Sequence, residues 1–306
     1  MAYLPFTALI VALAFSQSSD AQLAALHRMM ATVNAGDAAG YARLYAPEAV
    51  ITIYGTGELK GRAAIEAHEV ELLRQFPGAR LAFSDVWLDG ARAVVRYAIN
   101  APTPKGPSMG HEGLLFFRFD ASGAITEEHR YQDSLTPMAQ LGALRAPAFR
   151  AVPHLPAALT RHVATGSPVE KTNRSIVTDM FAAISAGRQS AAQSFFAADA
   201  AIDELFLPQP FAGKDAASAW LKTWADASPG MILNVTTIQP IGDFVLVEGV
   251  ARGSLTRPLG MVPAADRPFA VRRGFIIRLH NSRISSLVGF MNGKELAEAV
   301  GSWPIK

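Results

Sequence analysis

Glu127, His129, Tyr131 and Asp133 occupy every second place in the run EEHRYQD. Read as a strand, that spacing puts two carboxyls, an imidazole and a phenol on one face of a sheet. If the face lines an apolar hollow, burial disfavours the charged carboxylate and raises its pKa towards neutrality. A carboxylate tuned in this way is a general base for a proton on carbon beside a carbonyl. In that reading Asp133 is the base, His111 or His129 the acid partner, and Tyr131 the group that orients the substrate or stabilises an oxyanion. His111 follows the loop APTPKGPSMG and opens a strand, so it stands either at the lip of the hollow or in solvent. Asp133 also precedes a helical run beginning at Ser134, and Asp is a favoured N-cap worth about 1 kcal/mol. Both readings of Asp133 are open. Tyr54, Trp87, Arg96 and Phe117 lie in strand-like runs and are candidates for the ligand-contacting wall.

Other chemistries find no support. With no cysteine, zinc-thiolate sites, disulfides and thiol catalysis are excluded. His68-Glu69 and His111-Glu112 do not continue into His-Glu-x-x-His, because Leu72 and Leu115 stand where the second His would be. GTGELKG lacks the spacing of a dinucleotide loop and no βα unit follows it. There is no Gly-x-Ser-x-Gly motif. No cofactor and no metal are implied. The formal net charge is +2 from 28 basic and 26 acidic residues without a basic run, which gives no nucleic-acid surface. Asn173-Arg-Ser and Asn234-Val-Thr match glycosylation sequons, which matter only in a eukaryotic secretory route.

The elements that must position these residues occur twice. ATVNAGDAAGYARLYAPEAVI (31–51) matches AAISAGRQSAAQSFFAADAAI (182–202) at an offset of 151. FPGARL and SPGMIL are 152 apart, Arg118 and Arg278 are 160 apart, and Asp133 and Asn292 are 159 apart, as are Gly142 and Gly301. The offset jumps once, between the strands near 98 and 118, as a longer hairpin loop in the second copy would require. In each copy apolar residues at helical spacing lead to a glycine stop at Gly36 or Gly187. A short second helix, a strand and a third helix follow, the last stopped by Pro77 or Pro229. Four strands finish each unit, at 79–88, 91–100, 112–120 and 124–133, then 231–240, 243–254, 269–280 and 283–292.

Helices first and an antiparallel meander last predict an α+β fold, a curved antiparallel sheet wrapped around helices in each copy. Curvature leaves a concave apolar pocket at the open end. The divisions are 22–142, a Pro-rich linker 143–170, and 171–301. The second copy carries Ser286, Val288, Phe290 and Asn292 on the strand equivalent to EEHRYQD and cannot transfer protons there. It reads as an apolar pocket or a filled structural partner, and the duplication as an intramolecular pseudo-dimer or a route to a homo-oligomer. Tyr3 to Phe15 is an apolar run too short for the ~20 residues of a membrane span. With Ser19-Asp20-Ala21 after it, residues 1–21 read as a signal peptide, hence export to periplasm or medium; the other reading is a buried N-terminal element of a cytoplasmic protein.

Tyr131-x-Asp133 followed by Gln140-Leu141-Gly142, together with NAGD, YAPEAVI and GRAAI, resembles the SnoaL-like polyketide cyclases of the nuclear transport factor 2-like superfamily. That superfamily also holds ketosteroid isomerases and limonene epoxide hydrolases. The resemblance spans most of 20–142 and, more faintly, 170–301. It implies a cone-shaped α+β barrel with an internal pocket, in which an Asp of the terminal strand works as acid/base with a His. Asp133 matches the strand-end Asp of the wider family, whereas the acid of the cyclases' His-Trp-Asp motif falls nearer Arg130. The epoxide hydrolases' Arg-x-Asp is not matched, since Ala98 stands where the Asp after Arg96 would be. Together these expectations describe a protein that binds a small apolar carbonyl-containing molecule and moves a proton in the first copy, or a non-catalytic exported binding or assembly domain.

Overall fold

Each copy opens on a helix that the sequence ends with glycine. In the computed structural model, which describes residues 6–103, 106–146 and 149–305, with side chains from residue 19, α1 (Phe6–Ala35) and α5 (Pro168–Ser185) are followed by Gly36 and Gly187 at φ 70° and 68°. An L-residue with a side chain is strained in that conformation, so glycine stops the helix cheaply. The start of α5 is fixed by Ser167 and Glu170, which bond each other's backbone amides as a capping box, with Pro168 in the first turn.

The first unit continues through α2 (Ala38–Ala42), β1 (Tyr45–Ile53), β2 (Gly57–Lys60), α3 (Arg62–Gln75) and four strands: β3 (Arg80–Asp89), β4 (Arg92–Ala101), β5 (Met109–Phe119) and β6 (Ile125–Gln132). It closes with α4 (Leu135–Gln140) and β7 (Thr160–Val163). The second repeats the order with α6 (Gln189–Gln193), β8 (Phe196–Glu204), α7 (Ala216–Ala227), β9 (Ile232–Ile241), β10 (Phe244–Ser254), β11 (Pro268–His280), β12 (Arg283–Phe290) and α8 (Gly293–Ala299). The longer loop of the second copy is 255–267, against 102–108 in the first.

Two α+β units are present, each with its own sheet, in the orders β2-β1-β6-β5-β4-β3-β7 and β8-β12-β11-β10-β9. Two details differ from expectation. The sheets stay open rather than closing into barrels, and they are mixed. β1 lies parallel to β6 and β8 parallel to β12, so the strand that follows the short helix returns to the far edge of the meander. The segment expected to be only a linker supplies β7, which pairs parallel to β3 over 85–88. In the second sheet the same edge, β9, carries no such strand among the described residues. Pro240 lies there, and a proline cannot donate to a neighbouring strand.

The convex faces of the two sheets meet. Trp87, Phe116 and Tyr131 of the first form one buried apolar cluster with Leu246, Ile276 and Phe290 of the second. Gly274 permits this closeness, because a Cβ there would stand 3.1 Å from Leu114 and 3.2 Å from the Tyr131 ring. The concave faces hold separate cores, one under α1 and α3, the other under α5 and α7. The expected signal segment runs through α1, and its side chains up to residue 18 lie outside the described residues. Within that segment, Ser19 and Asp20 take hydrogen bonds from Arg161 of β7, at 2.7 Å and 2.8 Å. Among the described residues no helix is long and apolar enough to cross a membrane.

Candidate functional site

The hollow of the first unit lies between α1, α3 and α4 and the concave faces of β4, β5 and β6. Its volume is about 320 Å³, at the low end of the ~300–1,000 Å³ typical of ligand sites. Met29, Leu72, Phe76, Ile99, Met109 and Leu115 are among its apolar walls. Strand parity decides which polar groups enter it. On β6 the inward residues are the even ones, so Glu128, Arg130 and Gln132 point to the concave side.

These make two hydrogen-bonded sets at the base. Fully buried Glu128 accepts from Tyr45 Oη and, at 2.8 Å, from Arg130 Nε. Arg130 Nη2 donates to Tyr41 Oη at 2.9 Å, and the Tyr41 and Tyr45 hydroxyls are 2.7 Å apart. The second set joins Tyr97 Oη to Gln132 Oε1 at 3.0 Å and to His111 Nε2 at 3.3 Å. Burial raises the pKa of Tyr97, so it remains a phenol. Burial lowers His111 to about 4, so it is neutral, and its Nδ1 is buried without a partner among the described residues. From α3, His68 and Glu69 border the same hollow. The His68 pKa falls through burial and the nearby Arg130 charge. Glu69 is pushed up to about 7 by burial, against the pull of Arg130, whose Nη1 lies 4.0 Å from Glu69 Oε1.

Of the residues picked from the sequence, His111 and Asp133 border this hollow. Asp133 does so with its carboxylate already engaged. Oδ2 accepts from Thr136 N and Oγ1 at 2.9 Å and 2.6 Å, and Oδ1 from Leu135 N and from Gly293 N of the second unit, at 3.2 Å and 3.0 Å. Burial raises its pKa and these donors pull it part of the way back. A carboxylate saturated by four donors holds the start of α4; it has no lone pair left to take a substrate proton.

His129 and Tyr131 turn to the opposite face, which corrects the expectation that they line the pocket. Between the sheets, His129 Nδ1 and Tyr131 Oη meet Glu248 Oε1 at 2.7 Å and 3.0 Å, while His129 Nε2 is 3.0 Å from Glu127. Burial alone would lower the His129 pKa, but the bonds and charges of Glu248 and Glu127 raise it above the ordinary value. The expected wall residues are elsewhere too. Tyr54 lies against Tyr131, ring centres 4.5 Å apart and planes tilted by 45°, and Trp87 stacks on His162 at 5.3 Å, both on the convex side. Arg96 pairs with Glu112 at 2.6 Å, and Phe117 is core beneath the hollow. The alternation in EEHRYQD was readable; which parity faced inward was not, because both faces of this sheet are covered. Glu69 and Arg130 were missed. Glu69 carried one legible signal, a carboxyl at helical spacing from Ile65, Leu72 and Leu73.

The second hollow is filled from within. Fully buried Glu204 accepts from Trp220 Nε1 at 2.7 Å, Trp224 Nε1 at 3.1 Å and Arg273 Nη2 at 2.5 Å. The Arg273 guanidinium lies between Trp224 and Phe275, 4.3 Å and 4.5 Å from their ring centres. A cross-strand exchange of sizes explains this. Tyr97 faces Gly113 in the first sheet, and Gly249 faces Arg273 at the repeat-related place in the second.

The SnoaL-like domain model matches residues 26–128 and 177–287, one segment in each unit. A protein from Catenulispora acidiphila with a ketosteroid isomerase-like fold, solved with trimethylamine, is 23% identical over 41% of this chain and 92% of its own, with a TM-score of 0.37. A Jannaschia protein named as a SnoaL-like polyketide cyclase is 19% identical over 45% of this chain and 97% of its own, with a TM-score of 0.41. No curated protein matches the chain. With more than half its length matched by that one model, in two separate copies, the chain belongs to the SnoaL-like domain family.

Proposed function

We propose that the first domain binds a small, largely apolar molecule bearing a carbonyl group and supports proton transfer of the isomerase or cyclase type. The second domain serves as its structural partner. One observation carries the reading: repeat-related hollows differ, the first open with about 320 Å³ and ionisable groups at its base, the second occupied by Arg273 and Glu204. Apolar walls favour burial of a hydrocarbon body, and phenol, imidazole and guanidinium groups at the base fit a carbonyl oxygen. We further propose that residues 1–21 direct export; mass spectrometry of the protein recovered from cells should then give an N-terminus at Gln22.

Binding is tested by thermal denaturation with apolar ketones such as 2-tetralone. A ligand held only by the native state raises the melting temperature with concentration. Leu72→Trp, which puts an indole into the first hollow from its apolar wall, should abolish that rise. Equal shifts in both proteins would place binding outside the hollow and end the reading.

A further inference from the structure

The polar base of the first hollow leaves two groups unspent. Arg130 commits Nε and Nη2 to Glu128 and Tyr41, but Nη1 makes no hydrogen bond among the described residues. Glu69 accepts none either; its side chain is 8% exposed, it borders the hollow, and Arg130 Nη1 at 4.0 Å is its nearest ionic neighbour. A carboxyl this buried normally finds donors, because leaving it without them costs free energy. Here the unpaired oxygens and the unpaired guanidinium hydrogens border the same cavity.

We propose that Glu69 is the acid–base group of the first domain, exchanging a proton with the carbon beside a bound carbonyl, while Arg130 Nη1 holds the carbonyl oxygen. The inference rests on the ligand-binding reading above. A Glu69 carboxylate oxygen forms an O–H bond as the C–H bond breaks, and the electron pair moves onto the carbonyl oxygen. That oxyanion is held by a guanidinium that keeps its own protons. Returning the proton from Glu69 to the same or a conjugated carbon completes the cycle, and no electrons leave the ligand.

The rest of the site fits these roles. Glu128, Tyr41 and Tyr45 fix the Arg130 plane from behind and leave its free edge to the cavity. Burial places Glu69 at about 7, where a base is part ionised at neutral pH and its conjugate acid still returns the proton. Asp133 is saturated, and His111 at about 4 is too weak a base. The pair is confined to the open hollow: at the repeat-related places the filled one has Leu221 and Gly289.

The test is deuterium uptake into 2-tetralone in D2O, followed by proton NMR beside the thermal shift with the same ketone. The native protein should exchange the α-hydrogens faster than buffer, with a rate that rises through pH 7. Glu69→Gln, which loses no hydrogen bond, should keep the thermal shift and lose about 100-fold or more of the exchange. Glu69→Asp, with the carboxylate drawn back, should keep the pH profile at a lower rate and serves if the Gln variant fails to fold. Binding without exchange above buffer, or undiminished exchange in Glu69→Gln, overturns the pair while leaving the pocket standing. Absence of any thermal shift in the native protein removes the pocket reading and the pair with it.

Discussion

Asp133 and Asn292, repeat-related, are used across the boundary between the two domains. Asp133 Oδ1 accepts from Gly293 N at 3.0 Å, and Asn292 Oδ1 accepts from Ser134 N at 3.2 Å, so each caps its own helix and reaches its counterpart's. An acid at both places would set two carboxylates against one junction; Asn292 instead donates through Nδ2 to Tyr54 O and Ser134 Oγ, at 2.8 Å and 2.9 Å. Asp133→Ala strands buried donors and should cost about 2 kcal/mol or more in urea denaturation, with little change in ketone affinity. Glu69 should show the opposite sign. Its folded pKa of about 7 lies above the ordinary ~4.3, so the folded state holds the proton more tightly and loses stability as pH rises between those values. Glu69→Gln should therefore match the native protein near pH 4 and exceed it at pH 8 by something on the order of 3 kcal/mol. Arg273→Ala should be severe, about 3–5 kcal/mol, because it leaves the buried Glu204 carboxyl without its cation.

At the scale of elements, β6 is the piece on which both functions turn. One parity delivers Glu128, Arg130 and Gln132 to the hollow, the other His129 and Tyr131 to the domain boundary. A one-residue slip would exchange the two sets, so the register with β1 and β5 also fixes the site. The boundary set has its own pH dependence. Because the folded pKa of His129 is raised, its stabilising charge with Glu248 is fully present below about 6.5 and is lost as pH climbs through the raised value. His129→Gln should flatten that part of the stability curve, measured from pH 5 to 8. Helix α4 is tied at both ends, through Asp133 to the second domain and through Gln140, which bonds Gly110 N and O at 2.8 Å and 2.9 Å. It borders the hollow through Pro137 and Met138, so loosening either tie should alter ligand access before it unfolds the domain.

Across the whole molecule the two sheets cover each other's convex faces. Residues 22–166 expressed alone should expose Trp87, Phe116 and Tyr131 and associate or aggregate, a prediction checked by light scattering on the separated part. Most of this architecture is legible in the chain. The repeat offsets, the glycine stops at Gly36 and Gly187, the prolines after the third helices and the alternating strands give the element order, because each is a local demand of backbone geometry. The role of β7 and the parallel return of β1 are not legible, since strand pairing is a long-range choice that no local pattern encodes. The site divides the same way. The sequence by itself marked the terminal strand of the first copy as the one with ionisable groups and gave Asp133 two possible roles. Only the tertiary structure decided that Asp133 is consumed as a cap, that the odd-numbered partners face the other domain, and that Glu69 and Arg130 meet. The reason is physical: spacing determines which side chains share a face, but what covers that face, and so which groups are left dry and unpaired, depends on residues distant in the chain.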